Sequence, residues 1–209
     1  MGRPREFDLP QALDQALQVF WRNGYEGASI ADLTAAMGIN PPSLYAAFGN
    51  KEGLFRKALD RYAEQHTKFW NKGLEAPTAR GVVEHLLRES ANFLTEARNP
   101  PGCLFVRGAL SCSEAADTIQ KELAARRAAS EVKLRDRLEV AKNDGKLSPE
   151  LDPTDYARYL MTVMEGMSVR AAGGATRKEL HKVADMVLRA WPAASGTLDR
   201  DNGQADEEQ

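Results

Sequence analysis

The sequence predicts an all-α protein: an N-terminal head of three short helices, then an all-helical body, about nine helices in total. Good helix formers dominate, and few stretches show the period-two alternation of strands. Helix boundaries are marked by caps, with Asp, Ser, Asn or Thr at the starts and Gly at the ends. Two short helical segments near the N-terminus are joined by Gly38-Ile39-Asn40, the spacing of a helix-turn-helix.

Asp8-Leu-Pro-Gln11 has the form of a capping box, with Pro10 tolerated in the first turn. The helix it opens carries Leu13, Ala16, Leu17 and Phe20 on one face and stops at Asn23-Gly24. Ser29, with Asp32 three residues on, starts a helix over 30–37 that Gly38 closes; Asn40-Pro41 starts a third over 41–48. Ile30, Leu33, Ala36, Ile39, Leu44 and Phe48 complete a small core with the first helix, and Tyr45 is predicted to be exposed. Asn50 caps a longer helix over 51–70. Further helices are predicted over 78–98, ended by Asn99-Pro100-Pro101-Gly102, and over 103–111. Another covers 114–143, whose interleaved charges read as a solvated face with i,i+4 pairs. The last two run over 153–172, ended by Gly173-Gly174, and from the Thr176–Glu179 capping box to 191. Three regions follow: a head over 1–55 with a flexible basic arm, a body over 56–192, and an acidic tail over 193–209 that reads as disordered.

At 43% hydrophobic and 28% charged residues, the 209-residue chain has the make-up of an ordinary soluble protein of one or two domains. No apolar run approaches the roughly 20 residues of a membrane span. The basic start, Met1 to Glu6, lacks the apolar stretch of a signal peptide, so a cytoplasmic location without membrane association is expected. The net charge of −2 does not favour nucleic acid. The first 57 residues also balance, with six cations against six anions, so a nucleic-acid footprint would have to rest on a few placed groups. His66, His85 and His181 show no metal-ligand spacing, Gly173-Gly174 is no phosphate loop, and no nucleophile–base pattern occurs. Neither enzymatic activity nor a metal or cofactor is expected. Cys103 and Cys112 read as reduced buried thiols; a regulatory disulfide cannot be argued from their spacing.

The third helix suits a DNA groove. Asn40, Pro41 and Pro42 carry no bulky charge, so its start can approach closely, with free N–H groups and the positive dipole end facing phosphates. Ser43 and Tyr45 can donate to phosphate oxygens, and Tyr45 and the proline edges can pack on thymine methyls. Lys51, at the next helix start, adds an anion site. In order and spacing, Gly24-Tyr25, Ser29, Gly38, Leu44-Tyr45, Phe48, Lys51-Glu52 and Leu54 resemble the TetR family of transcriptional regulators over the first 55 to 60 residues.

The resemblance implies base-facing roles for Pro41, Pro42 and Tyr45 and phosphate contacts for Ser43 and Lys51. Ala47 stands where many members carry a phosphate-contacting histidine; Ser29, Tyr45 or the Arg3/Arg5 arm would compensate. That arm reads equally as a minor-groove contact or a plain tail. The resemblance further implies a body that dimerises through its last two long helices, here Tyr156, Tyr159, Leu160, Val163 and Met167 with Val183, Val187 and Leu188. It implies a small organic effector, with Tyr62, His66, Phe69, Trp70, Leu87, Phe93, Cys103, Phe105, Val106, Leu110 and Met161 as pocket candidates. The expected function is a homodimeric repressor released from a palindromic double-stranded operator by that effector. The alternative is a helical ligand-binding or scaffolding protein that does not bind DNA.

Overall fold

A computed structural model describes residues 7–110 and 116–191, and among these the chain is all helix. The elements are α1 (Leu9–Gly27), α2 (Ile30–Met37), α3 (Pro41–Phe48), α4 (Lys51–Leu74), α5 (Ala79–Leu94), α6 (Leu104–Leu110), α7 (Asp117–Asn143), α8 (Pro153–Ala172) and α9 (Arg177–Arg189). The Arg3/Arg5 arm, Cys112, the predicted start of the seventh helix and the acidic tail lie outside the described residues.

The head follows its caps. Asp8 accepts from the Gln11 N–H, Ser29 and Asp32 form a reciprocal capping box, and Gly38 closes α2 in the left-handed conformation at φ 66°. The helical pattern of α1 extends to Gly27, but Gly24 interrupts it at φ 72°, ψ −179°, a conformation essentially restricted to glycine. Leu17, Phe20, Leu33, Leu44, Phe48 and Phe55 are buried together, with Phe20 edge-on to Phe55 at 4.9 Å. Ala36 is exposed instead of core, because Leu33 and Met37 form the inward i,i+4 pair of this short helix.

Two body helices differ in length from expectation. α4 runs on to Leu74, and Gly73 is a point of close approach within it: a Cβ there would lie 2.8 Å from Leu86 Cδ2 on α5. α5 stops at Leu94, where the Thr95 hydroxyl donates back to the Ala91 carbonyl at 2.7 Å and the Leu94 carbonyl accepts from the Gly102 N–H at 3.0 Å. The loop thus folds onto the helix end.

Head and body share α4. Arg61 holds Asp14 of α1 with two hydrogen bonds, at 2.8 and 3.2 Å. On the other side of α4, Arg56 pairs with Glu122 at 2.9 Å and Asp60 with Arg126 at 2.7 Å, both partners on α7. Trp21 of α1 is fully buried, and its indole N–H donates to the Gly102 carbonyl at 2.9 Å.

Candidate nucleic-acid interface and ligand pocket

The start of α3 is an exposed, nearly uncharged edge. Pro41, Pro42 and Tyr45 are exposed, Tyr45 to 47%, while Ser43 and Ala47 are half-buried. One expectation is corrected. Pro41 and Pro42 have no N–H, and the Ser43 N–H donates to Asn40 Oδ1 at 2.9 Å. The first three helical residues therefore leave no free N–H for a phosphate, and α3 offers its dipole, two hydroxyls and an apolar edge. Ser29 is committed elsewhere as well. Its hydroxyl donates to Asp32 at 2.6 Å and accepts from the Asp32 N–H at 3.0 Å. These bonds hold the Asp32 carboxyl below its ordinary pKa, so a phosphate at Ser29 would meet an anion.

Lys51 joins the end of α1 to the start of α4. Its ammonium donates weakly to the Glu26 carbonyl at 3.4 Å and lies 4.8 Å over the Tyr25 ring. Partial desolvation lowers its pKa, and the charge of Glu26 opposes that shift. An ammonium has three donors, so the observed bond leaves capacity for a phosphate.

Behind the second half of α4 lies a small cavity of about 50 Å³. The structure gathers His66, Phe69, Trp70, Phe93, Cys103, Phe105, Val106 and Met161 around it. Three other candidates are placed differently. Tyr62 is fully buried behind the wall, donating to Cys103 Sγ at 3.1 Å and accepting from the Leu104 N–H at 3.3 Å; Leu87 is in the core; the Leu110 side chain is outside the described residues. Sequence reading missed Ser90, Leu94, Met164 and the polar rim of Arg127, Ser130 and Glu165. Arg127 donates to the Phe105 carbonyl at 2.8 Å and pairs with Glu165 at 3.4 Å. Those are tertiary partners, which local charge spacing on α7 cannot reveal.

The cavity is electrically quiet. Burial pushes the Cys103 thiol pKa up, keeping it protonated at neutral pH. His66 has five aromatic rings within 6 Å, centroid to centroid, and burial lowers its pKa to about 4. The unfolded chain binds this proton below pH 6.5 and the folded chain only below about 4. Stability contributed by neutral His66 is thus complete above pH 6.5 and declines as pH falls to about 4, by at most roughly 3 kcal/mol. Urea midpoints at pH 7.5 and 5 should fall less in His66→Gln than in the parent; equal falls would refute the assignment.

The predicted pairing surface divides in two. Leu160, Met167, Val187 and Leu188 are at most 4% exposed and belong to the chain's own core, so they are withdrawn from that surface. The α8 positions 160, 164, 167 and 171 form the inner stripe, about 100° around the helix from 159, 163, 166 and 170. Outside lie Tyr159, Gly166, Val169, Val183 and Met186, the last 64% exposed, with Tyr156 and Val163 half-buried at their edge. Val169 and Met186 are additions that the sequence reading does not contain.

Comparison with known proteins bears on both regions. Residues 12–58 match the family model described as bacterial regulatory proteins, tetR family, and residues 79–187 match the tetracyclin repressor-like C-terminal domain. The HTH-type transcriptional repressor ComR of Escherichia coli (strain K12) is 36% identical over 193 residues, covering 91% of this chain and 92% of its own. The repressor BdcR of the same organism is 32% identical over 191 residues, covering 90% and 91%. A cysteine mutant of the TetR family transcriptional regulator CifR, solved in complex with 26 bp double-strand operator DNA, is 45% identical; the match covers 91% of this chain and 100% of that one, with a TM-score of 0.87. The three-helix head, the helical body and these matches lead to one conclusion: the chain belongs to the tetR family of bacterial regulatory proteins.

Proposed function

We propose that this chain is a cytoplasmic, homodimeric transcriptional repressor that reads a palindromic operator with α3 and leaves it when a small organic molecule occupies the cavity behind α4. One observation carries the reading. α4 begins at Lys51, against the head, and its second half supplies His66, Phe69 and Trp70 to the cavity wall. A ligand that favours a different seat for α4 would therefore move the head, and coupling of about 1–3 kcal/mol would change operator affinity 5- to 150-fold. The repressor names of ComR and BdcR and the operator complex of CifR support this reading. The exposed faces of α8 and α9 support pairing of two copies, which would set two α3 edges about one DNA turn apart.

Sequences selected from a random duplex pool test it. Binding should weaken steeply with salt, because each neutralised phosphate releases counterion. Lys51→Ala should weaken all sequences uniformly and lower the salt slope by about one, the share of a single phosphate. Tyr45→Ala should also alter sequence preference. Flat salt dependence, or no selected palindrome, would instead support a helical ligand-binding protein without DNA activity.

A further inference from the structure

A second, much larger depression adjoins the cavity. It is a solvent-open groove of about 760 Å³ between α4, α5 and the start of α9. Phe69 and Phe93 line both spaces, with ring centroids 5.6 Å apart and both side chains half-buried. They thus form a partition of two rings between a cramped apolar chamber and a roomy polar one. The inner chamber is too small for an organic effector unless some wall retracts, since ligand pockets generally occupy about 300–1,000 Å³. Turning these two rings toward the groove is the retraction that merges the two volumes.

The groove has a chemical bias. Glu96 is paired with Arg98 at 2.7 Å and accepts from Asn99 at 3.4 Å, and Glu89 accepts only from the neutral Asn92 amide at 3.1 Å. Three cations (Lys68, Arg98, Arg177) against these two carboxylates leave the groove with an excess of one positive charge. Its spare groups are donors. Lys68 makes no hydrogen bond or ion pair among the described residues, and Arg177 has only long bonds to Thr95, at 3.2 and 3.4 Å. In the chamber, Arg127 already faces Glu165, which leaves no unpaired charge there for an acidic group.

We propose that the groove is the mouth and outer half of the ligand pocket, that Phe69 and Phe93 are its movable partition, and that the site takes an amphipathic organic anion, with flat apolar rings inward and the acidic group outward against Lys68 and Arg177. This deepens the proposed role of the cavity as a ligand site and rests on it.

Two fluorescent probes share one ring framework and differ in charge: 8-anilino-1-naphthalenesulfonate and the uncharged N-phenyl-1-naphthylamine. Replacing both cations (Lys68→Gln with Arg177→Gln) should weaken the sulfonate about fivefold and the uncharged probe less than twofold, the scale of two solvent-screened contacts. Phe69→Leu and Phe93→Leu should raise association and dissociation rates together, about tenfold in stopped flow, for both probes. Val106→Ala, in the chamber wall away from the groove, should change dissociation alone. Circular dichroism confirms that each variant is folded. Equal losses for the two probes in the cation variant, or unmoved rates in both phenylalanine variants, overturn the inference while leaving the pocket in place, provided Val106→Ala still alters binding. Failure of both probes to bind the unaltered protein overturns the pocket reading along with it.

Discussion

Gly53→Ala is expected to destabilise the head by about 3 kcal/mol or more and to abolish operator binding, although the substitution adds one methyl group to a helix. Gly53 lies in the first turn of α4, where a Cβ would stand far inside van der Waals contact with the carbonyl oxygen of Phe48, the last residue of α3. The obstacle is backbone, so no rotamer change relieves it; α3 and α4 must separate. The intrinsic preference of alanine for helix, about 1 kcal/mol, is too small to offset that. Gly27→Ala is the control. Its Cβ would meet only Asn23 Cβ at 3.5 Å, ordinary contact, and should shift stability by no more than about 1 kcal/mol. Urea unfolding and operator titration of the two variants decide the matter, and equal stability of both would mean that the α3–α4 junction is looser than the geometry implies.

The second large effect is expected at Trp21. Trp21→Ala should cost about 3–5 kcal/mol, the range for removing a large aromatic from a core. The ring stands edge-on to Tyr62 at 4.8 Å and stacks on Phe93 at 5.7 Å, so one side chain of the head rests on a residue of the cavity wall. Trp21→Phe separates packing from hydrogen bonding. It retains most of the apolar surface but leaves the Gly102 carbonyl without its donor, at about 1–3 kcal/mol for an unsatisfied buried group. Gly102 sits at φ 91°, and a Cβ there would be 3.0 Å from the Ser168 carbonyl, so the loop has little room to find another partner. If thermal unfolding of Trp21→Phe matches the parent, the indole hydrogen bond contributes nothing.

Much of this architecture is legible in the sequence because local chemistry writes it. Ser29–Asp32 and Thr176–Glu179 fix the starts of α2 and α9, and Gly38 fixes the turn that sets α3 against α2. Misreadings arise where tertiary contact overrides local signals. The helix predicted to end at 70 continues to Leu74, where Gly73 packs closely on Leu86 of α5, and α5 ends early because Gly102 returns to Leu94. Leu160 and Tyr159 are neighbours in one apolar run, yet they face opposite environments, and periodicity alone does not say which stripe meets the chain's own core. The α3 N–H groups show a different failure. Proline is a good first helical residue, but that preference says nothing of the donors that two prolines in a row remove.

The tightness of the inner chamber bears on how sensitive a response could be. A protein resting with its compartment nearly filled by its own side chains must first adopt a rarer, opened form before anything substantial can lodge there. Apparent affinity is diluted in proportion to that rarity: if one molecule in about 100 is open, half-saturation needs about 100 times the intrinsic dissociation constant. The packing of a few aromatic rings would thereby help to set the dose at which the proposed effector acts, over and above the contacts those rings make with it.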